Sequence, residues 1–176
     1  AFESELQRNQ SMRNVFVSLN TDDQIEVQVG TEFRVGESYY LGLHTDSEDC
    51  ATHPVEGTTQ LVSEWIRLLT ELKDGAQLFL PFDFSDEYTR WLTLHRDGRD
   101  VTIVFGWATI EGWSIPTKDL SLYAHGVPGF VPDEPLYTQT FYLPNVISTL
   151  RRSLAVLASQ SHSATSRYRH TDRLQS

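Results

Sequence analysis

The sequence has a single cysteine, Cys50, among its 176 residues, so an internal disulfide framework is excluded. It also lacks any apolar run near the roughly 18 residues that a membrane-spanning helix requires. Its first ten residues carry charges where a signal peptide would be apolar. These absences predict a cytoplasmic protein that does not associate with membranes. The apolar share of 39% is still sufficient for a globular core, and the length fits one domain.

Basic residues are scarce, with 14 lysines and arginines against 24 aspartates and glutamates and a net charge of −10. The imbalance is greater in the body of the chain, because the segment 159–176 contains Arg167, Arg169 and Arg173 but only Asp172. An acidic body repels phosphate backbones, which disfavours nucleic-acid binding. The charge either attracts a basic partner or serves only to keep the protein soluble.

The common catalytic signatures are absent, including glycine-rich phosphate loops, the G-x-S-x-G elbow and the H-E-x-x-H pair. Cys50 and His53 have no evident third group that would orient them as a nucleophile and its base. The polar segment 44–57 contains residue types that bind metals, but their spacing matches no closed zinc site. We therefore expect no enzymatic activity, no metal and no cofactor. The metal-binding types in this segment are His44, Asp46, Asp49, Cys50 and His53.

Two short segments near the start alternate apolar and polar residues with the period of two that is typical of half-buried strands. Both apolar sets reach one face if the strands pair antiparallel around a loop at residues 20–24, which is rich in Asn and Asp. Phe33 and Val35 continue the alternation, and a further strand or a bend is predicted at 39–43. The predicted pairs are Leu19 with Ile25, Val17 with Val27, and Val15 with Val29.

A hairpin is predicted around Asp97-Gly98 in the middle of the chain, because glycine accepts the positive φ that hairpin turns require. A four-residue loop at Arg96–Arg99 is the alternative, since these like charges flank the turn, and it keeps the same register. A strand at 76–82 precedes it and contains Pro81, which predicts an edge strand or a strand end. Burial of the apolar face fixes which residues of the hairpin point inward. The predicted pairs on that face are Leu94 with Val101, Leu92 with Ile103, Arg90 with Phe105, and Tyr88 with Trp107.

Two segments have the apolar stripe of an amphipathic helix. The first spans residues 58–73, with Thr58 or Thr59 as its N-cap and Gly75 after its end. The second spans 144–158, and a proline fits its first turn. Apolar residues on the first stripe are Leu61, Val62, Trp65, Ile66, Leu68, Leu69 and Leu72.

These elements predict an α+β fold in which a mainly antiparallel sheet, formed by a meander and the hairpin, carries two helices on one face. The predicted domain is residues 1–158. The composition of 159–176 is polar and predicts a disordered tail.

Acidic and aromatic residues collect around the hairpin and in a proline-rich loop at 126–135. Trp, Tyr and Arg commonly anchor protein interfaces, and acidic groups attract a cationic partner. Trp107 pairs with Tyr88 on the expected core face, which favours a core role over partner binding, whereas Trp113 could belong to either class. The candidate partner-binding residues are Asp83, Asp86, Glu87, Trp107, Glu111, Trp113, Phe130, Asp133 and Glu134.

The segments LVSEWIRLLTELKDG, LPFDFSDEYTRWL and GWATIEGW resemble small actinobacterial toxin-immunity proteins. The likeness is to the immunity factors for the mycobacterial tuberculosis necrotizing toxin, an NAD-glycohydrolase. It implies a one-to-one cytosolic complex with a basic toxin domain that occludes the NAD pocket, without catalysis by this chain. Two alternatives remain: a small-molecule binding domain with a pocket on the sheet, and a hydrolase or transferase that uses the acidic corner at 83–87.

Overall fold

The computed structural model describes residues 14–41 and 54–171, with side chains up to residue 160. Within these residues it contains two antiparallel sheets and three helices, which confirms the predicted α+β class. No helix in the described ranges is both long and apolar enough to cross a membrane. The elements are β1 (Val15–Leu19), β2 (Ile25–Val29), β3 (Glu32–Gly36), α1 (Pro54–Glu71), β4 (Gln77–Phe84), β5 (Thr89–Asp97), β6 (Asp100–Ala108), α2 (Ser121–Ala124), β7 (Val131–Pro132), β8 (Thr138–Tyr142) and α3 (Leu143–Thr171).

The first sheet has the order β1-β2-β3, and the predicted pairing of β1 with β2 is confirmed residue for residue. The loop between them is held by Asn20, whose side-chain oxygen accepts the backbone N–H groups of Asp22 and Gln24 at 2.9 and 3.0 Å. An Asn side chain that bonds its own following backbone is a standard turn device. The six apolar residues of this pair are buried as predicted.

In β3 the alternating apolar residues Phe33 and Val35 face outward, with 56% and 44% of their surface exposed. The turn after β2 pairs Val29 with Glu32, so the inward positions of β3 are taken by Glu32, Arg34 and Gly36. At Gly36 a Cβ would lie 2.3 Å from the Phe82 carbonyl oxygen, so only glycine allows this approach. The predicted strand at 39–43 is a turn as far as residue 41, and its last two residues lie outside the described ranges.

The second sheet has the order β4-β5-β6-β7, and β8 also pairs with β6. The hairpin exists, but its register differs by two residues from the prediction, since Leu94 lies opposite Ile103. The two loop residues are Gly98 and Arg99, and only Gly98 has a positive φ, at 60°. A glycine at the first central position is the requirement of a type II′ turn. A shift of two keeps every side chain on its predicted face.

Strand β4 lies at the edge of this sheet, as Pro81 predicted, and continues past the predicted end to Phe84. The register against β5 shifts between Pro81 and Asp83, as in a β-bulge. The bulge lets the strand accommodate a residue that cannot donate a ladder hydrogen bond. It also turns Asp83 inward beside β5.

Helix α1 begins at Pro54, earlier than the predicted residue 58. Proline suits the first helical turn, where a backbone N–H would have no partner in the helix. Thr58 is therefore not an N-cap, and its hydroxyl donates to the Pro54 carbonyl within the helix at 2.7 Å. The predicted apolar stripe is confirmed, with Trp65 fully buried at its centre.

Helix α3 continues to Thr171, past residue 158, where the sequence predicted the end of the domain. The sequence after Pro144 contains neither glycine nor proline, so nothing in it interrupts the helical backbone. The Gln160 amide donates to the Leu19 carbonyl at 3.4 Å, beyond the predicted end. Residues 172–176 lie outside the described ranges.

The core lies between the sheets and the two long helices. Helices α1 and α3 pack on each other. Helix α3 also packs along β1, where the Val17 N–H donates to the Ser153 hydroxyl at 2.9 Å. The opposite face of β5 is also partly covered, because Trp91 is fully buried with its ring 5.7 Å from that of Tyr123. Both faces of the hairpin are therefore protected near its middle.

Candidate functional site

A cleft of about 480 Å³ lies where β5 and β6 pass beyond the packed core. It brings together three of the predicted partner-binding residues, Trp107, Asp133 and Glu134. Strand β3 forms one wall and the segment after β7 forms another. The lining residues are Glu32, Arg34, Arg90, Trp107, Asp133, Glu134, Pro135, Leu136 and Tyr137.

Trp107 occupies the mouth of the cleft and is 39% exposed. The sequence paired it with Tyr88 inside the core, and this is wrong, since Trp107 lies opposite Arg90 in β5 and Val131 in β7. Its side chain follows the buried Phe105 on the same face of β6. The face was predicted correctly, but the core ends before Trp107 is reached.

Asp133 joins the two arginines of the cleft. Its carboxylate lies 3.0 Å from the Arg90 guanidinium and 3.8 Å from that of Arg34. Its backbone N–H donates to the Phe105 carbonyl at 2.9 Å, which fixes the loop against β6. Arg34 also pairs with Glu32 at 2.8 Å. Asp133 is thus half-buried and structural in part, rather than a freely exposed contact residue.

Both arginines also lie over aromatic rings of the core. The Arg34 guanidinium carbon is 4.6 Å from the centre of the Phe105 ring, and that of Arg90 is 5.4 Å from the centre of Phe82. Such contacts stabilise a guanidinium against an apolar floor. The two cations of the cleft are therefore held by partners from this chain.

Glu134 differs from the other charged residues of the cleft. It is exposed, and it forms no ion pair or side-chain hydrogen bond with the residues that the structure describes. The cleft has three carboxylates, Glu32, Asp133 and Glu134, against two guanidinium groups. Its lining is therefore net acidic, and the unpaired charge lies at Glu134.

Phe130 lies behind the cleft and packs against the sheet. Its ring is 5.3 Å from that of Phe79, and a Cβ on Gly106 would come within 2.2 Å of it. Phe130 is half-buried and its ring contacts are with this chain. Phe130 therefore packs the proline-rich loop against the sheet, and its predicted role in partner binding stays a prediction.

Asp83 was predicted at a solvated corner, and this is wrong, since the residue is only 4% exposed. Its Oδ1 accepts the Glu37 backbone N–H at 2.9 Å and the Ser85 hydroxyl at 2.7 Å. Burial raises the pKa of the Asp83 carboxyl, while these two hydrogen bonds and the Arg90 charge act to lower it. The bulge after Pro81 places the carboxylate where it joins β3 to β4.

Asp86, Glu87, Glu111 and Trp113 remain exposed and lie in neighbouring segments. The Gly112 N–H donates to the Ser85 carbonyl at 2.8 Å, which joins the turn at Gly112–Ser114 to the start of the β4–β5 connection. A Cβ on Gly112 would lie 2.4 Å from the Phe84 backbone, so the two segments are in close contact. We refer to this region as the corner surface; its residues are Tyr39, Tyr40, Asp86, Glu87, Glu111 and Trp113.

Two tyrosines complete the corner surface. Tyr40 donates its hydroxyl to the Asp86 carboxylate, and its ring meets that of Tyr39 edge to face at 4.8 Å. The hydrogen bond to Asp86 and the charge of Glu111 help raise the pKa of Tyr40 to about 12. Glu111 precedes Gly112 and Asp86 follows Ser85, so the hydrogen bond from Gly112 to Ser85 keeps the two acids in adjoining segments.

The corner surface combines charge of one sign with flat aromatic groups. Asp86, Glu87 and Glu111 form no ion pair with any residue in the described ranges. Trp113 is 50% exposed and Tyr39 is 71% exposed. Such a surface is suited to protein recognition, because exposed aromatics anchor interfaces and uncompensated carboxylates attract cations.

Sequence reasoning missed Arg34, Arg90, Tyr39 and Tyr40. For Arg90 a signal was present, since it occupies an inward position of β5 next to the apolar Leu92. Arg34 gave no such signal, because its inward neighbours in β3 are Glu32 and Gly36. A charged residue at an inward position marks the end of a core or a buried ion pair. The two tyrosines lie in a turn, where their sequence pattern resembles a strand.

The cleft and the corner surface are better suited to binding a partner than to catalysis. Among the described residues, no group of three His, Cys, Asp or Glu side chains is positioned to hold a metal, and the candidate ligands at 44–53 lie outside those ranges. No protein-family model matches the chain, and no curated protein or solved structure shows significant similarity to it. The functional argument accordingly depends on the geometry of the cleft and the corner surface.

Proposed function

We propose that this chain is an immunity protein that binds a basic, NAD-hydrolysing toxin domain in the cytoplasm and occludes its active site. The observation that carries the proposal is the corner surface, where exposed aromatic rings lie beside carboxylates without counter-ions. The likeness of three sequence segments to toxin-immunity proteins supports the same conclusion. The complex would contain one copy of each protein, with no cofactor and no catalysis by this chain.

The chemistry of the toxin explains why such a surface would inhibit it. An enzyme that grips the phosphates of NAD needs cationic groups around its pocket. Carboxylates such as Asp86, Glu87 and Glu111 can pair with those cations, and the ring of Trp113 can cover apolar surface between them. Electrostatic attraction also raises the association rate, which is important for an inhibitor that must act before NAD is consumed.

Interface size supports the use of both surfaces. A stable complex buries roughly 800 Å² per partner, with about 20–30 residues on each side. The corner surface alone contains six named residues, so neighbouring surface must contribute. The cleft adds Trp107, Glu134 and Leu136, all exposed. Together they supply the aromatic anchors and the charged rim that a specific interface requires.

Inhibition at a defined ratio tests the proposal. Purified protein is mixed with an NAD-hydrolysing toxin domain of this class, and NAD consumption is followed as the ratio rises. We expect hydrolysis to cease near one equivalent, since occlusion is stoichiometric. Continued hydrolysis with excess protein would contradict the antitoxin function. If a complex forms on size exclusion but still hydrolyses NAD, the toxin is a partner of this chain and occlusion of its active site is contradicted.

A matched pair of variants locates the contact. Trp113→Ala removes an exposed aromatic residue of the corner surface and should weaken the complex by at least tenfold, as is typical of an aromatic anchor. Tyr142→Ala removes an aromatic residue with 39% exposure on β8, away from both surfaces, and should leave affinity unchanged. Equal effects of the two changes would contradict the assignment of the interface.

The cleft also supports a second candidate, a small-molecule binding domain. Its volume of about 480 Å³ falls within the range of ligand pockets, roughly 300–1,000 Å³. A ligand that copurifies and raises the melting temperature would favour this function. The remaining alternative, a hydrolase that uses the acidic corner, would have to work without Asp83, whose carboxylate is buried and bonded to β3.

A further inference from the structure

We infer that the cleft beside Trp107 receives an arginine side chain from the partner protein. This inference rests on the proposed function, because it assigns one contact within that complex. The cleft differs from the corner surface in being concave and in having walls that are both charged and apolar. Those walls match the charge and the shape of a guanidinium group on an aliphatic stem.

The first argument is the charge of the lining. Arg90 pairs with Asp133 at 3.0 Å, and Arg34 pairs with Glu32 at 2.8 Å. These pairs compensate both cations of the cleft and two of its three carboxylates. Glu134 is left without a counter-ion among the described residues, so an entering cation meets a carboxylate that needs a partner. An entering anion would have to displace Asp133 or Glu32 from its arginine.

The second argument is the shape of the walls. Trp107 presents an exposed indole ring, and indole is the aromatic group that attracts cations most strongly. The planar guanidinium of arginine stacks on such a ring and can bond a carboxylate through two parallel N–H groups. Pro135 and Leu136, the latter 63% exposed, provide apolar surface for the three methylene groups of the stem.

Arginine fits this cleft better than lysine. The ammonium group of lysine is strongly hydrated and carries no plane that could lie on an indole. The floor of the cleft already shows the same preference, since Arg34 and Arg90 each lie over a phenylalanine ring. An arginine from the partner would repeat this arrangement one layer further out, on Trp107.

A titration without any toxin tests the inference directly. N-acetyl-arginine methylamide is added to the full chain, and the amide and indole N–H signals are followed by NMR. We expect saturable shifts at the Trp107 indole and at the backbone amides of Glu134 and Leu136. The neutral citrulline analogue should bind about tenfold more weakly, since it keeps the shape but lacks the charge.

Two variants and a control complete the experiment. Glu134→Gln and Trp107→Ala should each weaken arginine binding about two- to fivefold, the range expected for one exposed ion pair or cation–π contact. Asp100→Asn neutralises an exposed carboxylate at the far end of β6 and should change nothing. Trp107→Phe should retain part of the binding, which separates the loss of a ring from a folding defect.

The outcomes separate this inference from the proposed function. Absence of saturable shifts with the arginine probe overturns the inference, even if the protein still inhibits the toxin. Shifts produced by inorganic phosphate, and not by arginine, also overturn it and assign the cleft to anions. Arginine binding without toxin inhibition supports the cleft as an arginine site and contradicts the proposed inhibition of the toxin. Weaker inhibition by Glu134→Gln, together with weaker arginine binding, supports both.

Discussion

The backbone N–H of Glu37 donates a hydrogen bond to Asp83 Oδ1 at 2.9 Å, so a buried carboxylate of β4 holds the end of β3. The two sheets meet at this point, beside the cleft. Replacing Asp83 with alanine leaves the Glu37 N–H and the Ser85 hydroxyl without this acceptor. We expect the free energy of unfolding to fall by about 1–3 kcal/mol, as measured by urea denaturation. Asp97→Ala, at an exposed position, should have an effect within about 0.5 kcal/mol.

The ionisation of Asp83 should be visible in the pH dependence of stability. Burial raises the pKa of its carboxyl in the folded state above the ordinary value of about 3.9. Between the two pKa values the folded state holds a proton that the unfolded state has released, so stability falls as pH rises. Asp83→Asn keeps an acceptor oxygen but does not ionise.

The expected result is that the stability of the native protein relative to Asp83→Asn is greatest below about pH 4, where Asp83 is protonated in both the folded and the unfolded state. It should fall as pH rises through the raised pKa and stay constant above it. Urea denaturation of both proteins at a series of pH values measures this difference. If the native protein instead gains stability relative to the variant as pH rises, the hydrogen bonds lower the pKa of Asp83 more than burial raises it.

Helix α1 allows a simple test of the packing. Leu68 and Leu69 are buried in the apolar stripe of the helix, so Leu68→Ala or Leu69→Ala should each cost about 2–5 kcal/mol. Thr70→Ala changes an exposed position on the same helix and should cost little. Thermal or chemical denaturation measures all three. Near-zero effects of both leucine changes would contradict the burial of this stripe in the core.

The sequence was sufficient for the elements whose pattern and turn chemistry agree. In β1 and β2 the period-two apolar pattern and the Asn20 turn specify the same register, and the structure has that register. Along α1 the apolar stripe fixed the buried face, since a helix must bury its apolar side. In the hairpin the faces were correct although the register was not, because a shift of two residues leaves the pattern unchanged.

Elsewhere the outcome depended on tertiary contacts that local patterns do not encode. The two-residue turn at Gly30-Thr31 decides which side of β3 faces inward, and the alternation of Phe33 and Val35 is equally compatible with either side. The burial of Asp83 depends on the bulge after Pro81. The cleft depends on where the facing layer ends, which leaves Trp107 exposed on a face that is otherwise core.

The end of α3 is open to a truncation test. Among the helix residues whose side chains are described, as far as Gln160, Leu157 is the last fully buried apolar one, and Gln160 contacts the Leu19 carbonyl. The polar composition of the following residues offers little burial to offset the entropy of ordering them. Removing residues 161–176 should therefore leave the melting temperature essentially unchanged. A fall of several degrees would show that this segment is part of the domain.

The final prediction concerns the rate at which the complex forms. Asp86→Lys with Glu87→Lys reverses two uncompensated charges of the corner surface. Asp97→Lys with Asp100→Lys makes the same change in net charge at the opposite end of the hairpin. Strand β5 has nine residues, so the two sites are separated by roughly 30 Å at about 3.3 Å per residue. This distance exceeds the Debye length of about 8–10 Å near physiological ionic strength.

Because screening limits each charge to its own surroundings, only the corner pair should slow association with the toxin, by about tenfold or more at low salt. The difference from the native protein should diminish as salt rises, and both variants should melt near the native temperature, since exposed carboxylates contribute little to stability. Stopped-flow association at several salt concentrations provides the measurement. If the two double variants slow association equally, the toxin is attracted by the net charge of the protein and not by the corner surface. If neither variant slows association, the interface lies elsewhere.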